Sequence, residues 1–189
     1  MSKRMQGLKA LHDIALDHCT GGHPDLAALA RDLGRAVHRQ TTALGESLAG
    51  LRTRERGFER WLLGERRGMS LLVMAWPANY ATPVHDHADL WGLELALYGA
   101  LEVQSYTREP SGQLRMEGRD WLGPGDASWF DADQPYVHRC RNLSRHETAL
   151  SLHVYGGNLA KYSAYEQNEP AGRWTAKPRH SVLAGQLTP

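Results

Sequence analysis

At 189 residues and 41% hydrophobic content, the chain can bury one ordinary core without needing disulfide staples. A formal charge of +1, with basic residues scattered except between Arg52 and Arg67, argues against a nucleic-acid surface. Cys19 and Cys140 are too few for a disulfide framework, and the start Met1-Ser2-Lys3-Arg4 leads into an amphipathic pattern, so neither a secretory leader nor a membrane span is expected and a reducing cytoplasm is the expected compartment.

Taken in chain order, Leu8, Leu11 and Ala15 recur at helical spacing and predict a first helix. Pro24 and Asp25 are start signals for a second, whose apolar stripe is Leu26, Leu29, Leu33 and Val37. Residues 1–55 therefore read as a helical segment. Beyond them come short runs rich in Leu, Val, Trp and Tyr, punctuated by Gly, Pro and Asp: Phe58 to Leu63, Met69 to Trp76, Gly92 to Tyr98, Leu101 to Tyr106, Ala127 to Phe130 and Thr148 to Tyr155. Regular short strands predict a closed or sandwiched all-β body over 56–165. The tail 166–189, with Pro170, Pro178 and several glycines, is expected to be loop-rich and to wrap that body, the whole forming a single domain.

Within the β region, Thr82-Pro83-Val84-His85-Asp86-His87 is followed fifty-one positions after His87 by His138, which opens His138-Arg139-Cys140-Arg141-Asn142. Strand alternation sends both imidazoles of an His-x-His pair to one side, where they can grip one ion. Asp86 then faces away and is expected to turn the chain. Gly123-Pro124-Gly125-Asp126 makes a tight turn ahead of His138, and together these form the Pro-Gly…His-x-x-x-Asn pattern of the cupin superfamily, a jelly-roll barrel. In that pattern a glutamate follows the His-x-His pair by four or five places. Here the count lands on Trp91 or Gly92, so an all-histidine site of His85, His87 and His138 is expected, with positions open for other ligands. His12, His18, His23, His38, His146 and His180 are expected to stay off the metal.

Alternation also places Ser151, His153 and Tyr155 on one face of one strand, where a Ser-His-Tyr chain can hold a phenol in a fixed orientation. Plain barrel packing would put Val or Leu there. Over residues 57 to 160 the chain resembles the cysteine dioxygenase family of thiol dioxygenases, on Trp76, Pro83-Val84-His85-Asp86-His87, His138-Arg139-Cys140-Arg141-Asn142 and Ser151-Leu152-His153-Val154-Tyr155. The resemblance implies ferrous iron on the three histidines, a relay of Ser151, His153 and Tyr155 beside it, and Arg60 as the clamp for a substrate carboxylate. A guanidinium suits that task because it offers two parallel hydrogen bonds. The segment 158–164 lacks the arginine that 3-mercaptopropionate dioxygenases carry there, which sets this chain with the arginine-type enzymes. The implied reaction adds both atoms of O2 to the sulfur of a small thiol carboxylate: L-cysteine first, with 3-mercaptopropionate and mercaptosuccinate as alternatives.

Three departures bear on the pocket. Gly92 stands where animal enzymes carry a cysteine cross-linked to the tyrosine, and Phe58 replaces a tyrosine. Glu94 shares the parity of Gly92 and should project inward, to meet a substrate ammonium, a nearby arginine, or water at the barrel mouth. Trp76 and Trp91 read as packing residues and Cys140 as a buried neutral thiol. Competing readings are a cupin holding zinc, nickel or manganese as an isomerase or hydrolase, and a small-molecule sensor. No protein-partner motif is evident.

Overall fold

The computed structural model describes residues 6–53, 57–66, 68–168 and 172–189. The start Met1-Ser2-Lys3-Arg4, positions 54–56 and 67 of the Arg52 to Arg67 stretch, and Pro170 lie outside them. Among the described residues three helices lead: α1 Gln6–His18, α2 Leu26–Arg39 and α3 Thr41–Arg52. Asp25 starts α2 as anticipated. Its extended backbone frees the carboxylate to accept from the Ala28 N–H at 3.0 Å. The stripe of Leu26, Leu29, Leu33 and Val37 is buried.

Twelve strands follow: β1 Glu59–Arg66, β2 Met69–Trp76, β3 Val84–His85, β4 Gly92–Tyr98, β5 Leu101–Arg108, β6 Leu114–Leu122, β7 Ala127–Phe130, β8 Tyr136–Asn142, β9 Ala149–Tyr155, β10 Lys161–Asn168, β11 Arg173–His180 and β12 Gly185–Gln186. They form two six-stranded sheets, ordered β12-β1-β2-β9-β4-β7 and β11-β10-β3-β8-β5-β6. Every strand pair is antiparallel except β1 with β12. The fold is a cupin jelly roll with helices on one face.

The first sheet is buried on both sides, and strand alternation sorts its residues between two cores. Leu71, Val73 and Ala75 of β2, Leu93, Leu95 and Leu97 of β4, and Leu150, Leu152 and Val154 of β9 pack with the helices. The opposite parity, Leu72, Met74, Trp76, Ala96 and Tyr155, lines the interior between the sheets. β2 therefore reads as an unbroken apolar run rather than an alternating one. Truncating a fully buried leucine such as Leu152 to alanine would cost about 2–5 kcal/mol.

The Pro-Gly turn is locked under α2. Gly125 has φ +93, and a Cβ on Gly34 would stand 2.5 Å from the Gly125 carbonyl oxygen, so helix and turn approach backbone to backbone.

The tail differs from expectation. β10 (161–168) and β11 (173–180) pair antiparallel from Lys161↔His180 to Asn168↔Arg173, so these stretches are strands and not a loop-rich wrap. β11 lies at a sheet edge and is exposed along nearly its whole length, so it carries no alternating signal; Pro178 is tolerated because the strand's outer side is unpaired. β6, at the other edge, escaped notice for the same reason. The final segment runs along β1, where Ala184 N–H donates to the Arg60 carbonyl and Leu187 N–H to the Leu62 carbonyl, both at 2.8 Å.

Candidate metal centre and its cavity

β3 pairs with β8 in a register that sets His85 opposite His138, and their Nε2 atoms come to 3.3 Å. His87 arrives differently from expectation, because β3 ends at His85 and no strand carries it. The chain instead turns after it through left-handed Ala88 and Asp89 (φ 51 and 59), with Leu90 N–H donating to the His87 carbonyl. Asp86 faces away, as expected. Its carboxylate accepts from Ser163 N–H at 2.8 Å and Tyr165 O–H at 2.9 Å, which pins the His-x-His segment to β10.

The three rings converge, with centroids 4.6 Å (His85–His138), 4.6 Å (His87–His138) and 5.2 Å (His85–His87) apart. Nδ1–H of His85 donates to the Pro83 carbonyl at 3.0 Å, which leaves the Nε2 lone pair for the site. His87 is buried with neither ring nitrogen bonded to protein. An orphaned buried imidazole is costly unless something else holds it. Burial lowers the pKa of all three, favouring the neutral form that binds metals. With metal–nitrogen bonds of about 2.0–2.1 Å, neighbouring donors on one ion stand about 3.0–3.4 Å apart, so the His85–His138 spacing fits a shared metal.

Asn142, last of the His-x-x-x-Asn string, is structural. Its amide donates to the carbonyls of Trp76, Pro77 and Glu147 and its oxygen accepts from Ser144 N–H. Beside the metal ligands runs the relay on β9. Trp76 Nε1–H donates to Ser151 Oγ at 2.7 Å, Ser151 lies 2.8 Å from His153 Nε2, and His153 Nδ1 is 2.9 Å from the Tyr155 hydroxyl. Trp76 is thus more than packing. Glu94 Oε1, 3.3 Å from His153 Nδ1, is a carboxylate oxygen that accepts, so the imidazole proton is assigned to Nδ1 and the Ser151 hydroxyl to donation toward Nε2. The Tyr155 O–H is then free to donate into the cavity. Burial, seconded by Glu94, raises the Tyr155 pKa well above the ordinary phenol range, so that hydrogen stays in place.

A cavity of about 280 Å³ joins these groups to Arg60. β1 turns Arg60 inward opposite Met74, and it is 9% exposed with Nε unpartnered. Burial lowers its pKa, partly countered by the nearby Tyr155 and Tyr162 hydroxyls. Phe58 stacks on Tyr80 at 4.8 Å and meets Trp76 edge-on at 4.9 Å, forming an apolar wall.

Glu94 departs most from expectation. It is 3% exposed, which excludes solvation at the barrel mouth. Among the described residues its close partners are His138, His153, His87 and Cys140, not an arginine. Cys140 is a buried thiol whose pKa burial raises further. Tyr80, Tyr162, His180, Ser181 and Val182 also line the cavity and were missed. Tyr162 shares parity with Ala164, which pairs with His85, so recognising β10 would have found it.

Residues 52–168 match the model of the family described as cysteine dioxygenase type I. The chain belongs to that family. Among curated relatives, it is 25% identical to cysteine dioxygenase type 1 of Danio rerio over 114 residues, covering 58% of this chain and 56% of that protein. It is 24% identical over 113 residues to the Bos taurus protein, with the same shares. The match therefore spans about half the length of these relatives. Among solved structures, TT1209 from Thermus thermophilus aligns with TM-score 0.45 and 24% identity over 57% of this chain and 91% of that one. Among the described residues no helix is long and apolar enough to cross a membrane.

Proposed function

We propose that the protein is a thiol dioxygenase that adds both oxygen atoms of O2 to the sulfur of a small thiol carboxylate, with L-cysteine, giving cysteine sulfinate, as its substrate. The observation that carries this reading is Arg60: a buried guanidinium with an unpartnered Nε, in the cavity that His85 and His138 of the convergent imidazole triad line. Among the described residues no carboxylate pairs with this buried cation, which calls for an anionic ligand, and a substrate carboxylate fits its fork.

His85, His87 and His138 would hold ferrous iron, which supplies the one-electron chemistry that lets O2 react with sulfur. The protein's own groups do the rest. Arg60 binds the substrate carboxylate and so fixes where the sulfur lies, which turns an encounter of two reactants into a positioned one. Tyr155, oriented by His153, Ser151 and Trp76, donates a hydrogen bond into the cavity and manages a proton there. Phe58, Met74, Trp76 and Leu159 exclude water around them.

Among the described residues lining the cavity, Arg60 is its single arginine or lysine, and Glu94 already contributes a buried acid. A second substrate carboxylate would meet no second arginine or lysine among the described residues there, which supports cysteine over mercaptosuccinate. The test is oxygen uptake after anaerobic loading with ferrous iron, using cysteine, 3-mercaptopropionate, mercaptosuccinate and cysteamine, with products weighed for two added oxygens. Cysteine is expected to be turned over fastest to its sulfinate. Iron binding with every thiol left intact would refute the proposal.

A further inference from the structure

One buried charged group has no task in that reaction. On β4, Gly92, Glu94 and Ala96 point inward while Leu93, Leu95 and Leu97 face the helices. Gly92 can present nothing to the histidines, because a Cβ there would overlap Phe130 Cζ and lie 2.9 Å from Tyr155 Cδ1. The Phe130 ring fills that place and packs on His87 with centroids 4.2 Å apart. The carboxylate comes instead from the next inward row, where Glu94 lies opposite His153.

Oε1 of Glu94 is 3.3 Å from His138 Nε2, 4.0 Å from His87 Nε2 and 3.3 Å from His153 Nδ1. Its other oxygen, Oε2, accepts from the Cys140 thiol at 3.4 Å. With bonds of about 2.0–2.2 Å, two donors on one ion stand about 3.0 Å apart at a right angle and about 4.2 Å apart when opposite. Both Nε2–Oε1 separations fall in that interval. A carboxylate this deeply buried needs a compensating charge, and neither neutral imidazoles nor a thiol provides one; a divalent cation does.

We propose that Glu94 is a fourth protein ligand to the metal, through Oε1, so that the site is three histidines and one carboxylate rather than three histidines alone. The proposal rests on the metal reading of the same site. Cys140 holds Oε2 and so presents Oε1 to the ion, while Nδ1–H of His153 lies against Oε1 and ties the relay to the ligand set. A carboxylate ligand leaves one fewer place open.

The experiment is a titration of the chelator-stripped full chain with Co(II), reading affinity by calorimetry and ligand number from the visible d–d absorption. Glu94→Gln keeps the shape and removes the charge; Glu94→Asp keeps the charge and shortens the reach. Both are expected to bind Co(II) at least about tenfold more weakly with an altered d–d band, since even outer-shell partners of metal ligands are worth about 10–100-fold in affinity. Circular dichroism shows that each variant is folded, and His87→Ala serves as the reference for a lost imidazole ligand. Co(II) binding that depends on His87 but is the same in affinity and spectrum for wild type and both Glu94 variants would overturn the proposal and leave the metal site standing. Unchanged metal binding with a raised KM for cysteine would overturn it too, by assigning the carboxylate to the substrate ammonium. Failure of the wild type to bind Co(II) at all would fall on the metal reading itself.

Discussion

Replacing Arg60 with methionine should move activity and stability in opposite directions. Methionine keeps the length and apolar stem of the side chain but not its charge or donors. Removing one side of a buried charged pair costs about 2–5 kcal/mol, and at about 1.4 kcal/mol per decade this is a loss of about 30- to 4000-fold in kcat/KM for cysteine. Most of it should fall on KM, because the carboxylate contact is the same before and during reaction. In the free protein the sign reverses. Arg60 is buried with Nε unpartnered, and an unsatisfied buried donor costs about 1–3 kcal/mol, so the variant should melt higher by about 2–4 °C per kcal/mol recovered. Cysteamine, which lacks the carboxylate, closes the cycle: wild type and variant should handle it alike. An equal penalty on cysteine and cysteamine in the oxygen-uptake assay would refute the carboxylate contact, and a lowered melting temperature would refute the claim of an uncompensated cation.

Tyr155→Phe should lower kcat about 100-fold or more with little change in KM, the range for losing a positioned proton donor. Ser151→Ala, which leaves Trp76 Nε1–H and His153 Nε2 without their shared partner, should cost about tenfold in kcat, measured in the same assay. Gly34→Ala places a Cβ against the Gly125 carbonyl, and the overpacking should outweigh the gain in helix propensity, a net loss of about 1–2 kcal/mol by chemical denaturation. Gly45→Ala on α3 meets nothing within 4 Å and should gain about 0.5–1 kcal/mol; a loss there would show that contacts beyond the Cβ matter. Asp86→Ala strips acceptors from Ser163 N–H and Tyr165 O–H and should destabilise by about 1–3 kcal/mol, read as a lowered melting temperature.

How much of this was legible follows from where each residue's information lies. β2, β4 and β7 could be bounded from sequence because turn residues stop apolar runs abruptly at Trp76, Tyr98 and Phe130. β6 and β11 could not, since an edge strand with two wet faces has no alternation to display. The three imidazoles and the Ser-His-Tyr series were legible as local patterns, one a spaced motif and the other a parity. Parity also gave the inward direction of Glu94, yet not its company. Its neighbours come from β8, β9 and the turn after β3, and the distances among those depend on how two sheets close on each other. Counting along the chain for a carboxylate stopped at Gly92, and a phenyl ring contributed by β7 explains why that count came up empty. Tyr80, Tyr162 and the cavity-lining end of β11 likewise became visible only once the sheets were assembled.

β9, the strand that bears the relay, has β2 on one side and β4 on the other, helices over one face and the barrel interior over the other. Its amides can meet solvent deuterium only when the whole sheet comes apart, so they should exchange at the rate of global unfolding, among the slowest in the molecule. The hydroxyl of Tyr155 is therefore mounted on the least mobile part of the fold. Its aim is set once, when the chain folds, and does not have to be found again with each turnover.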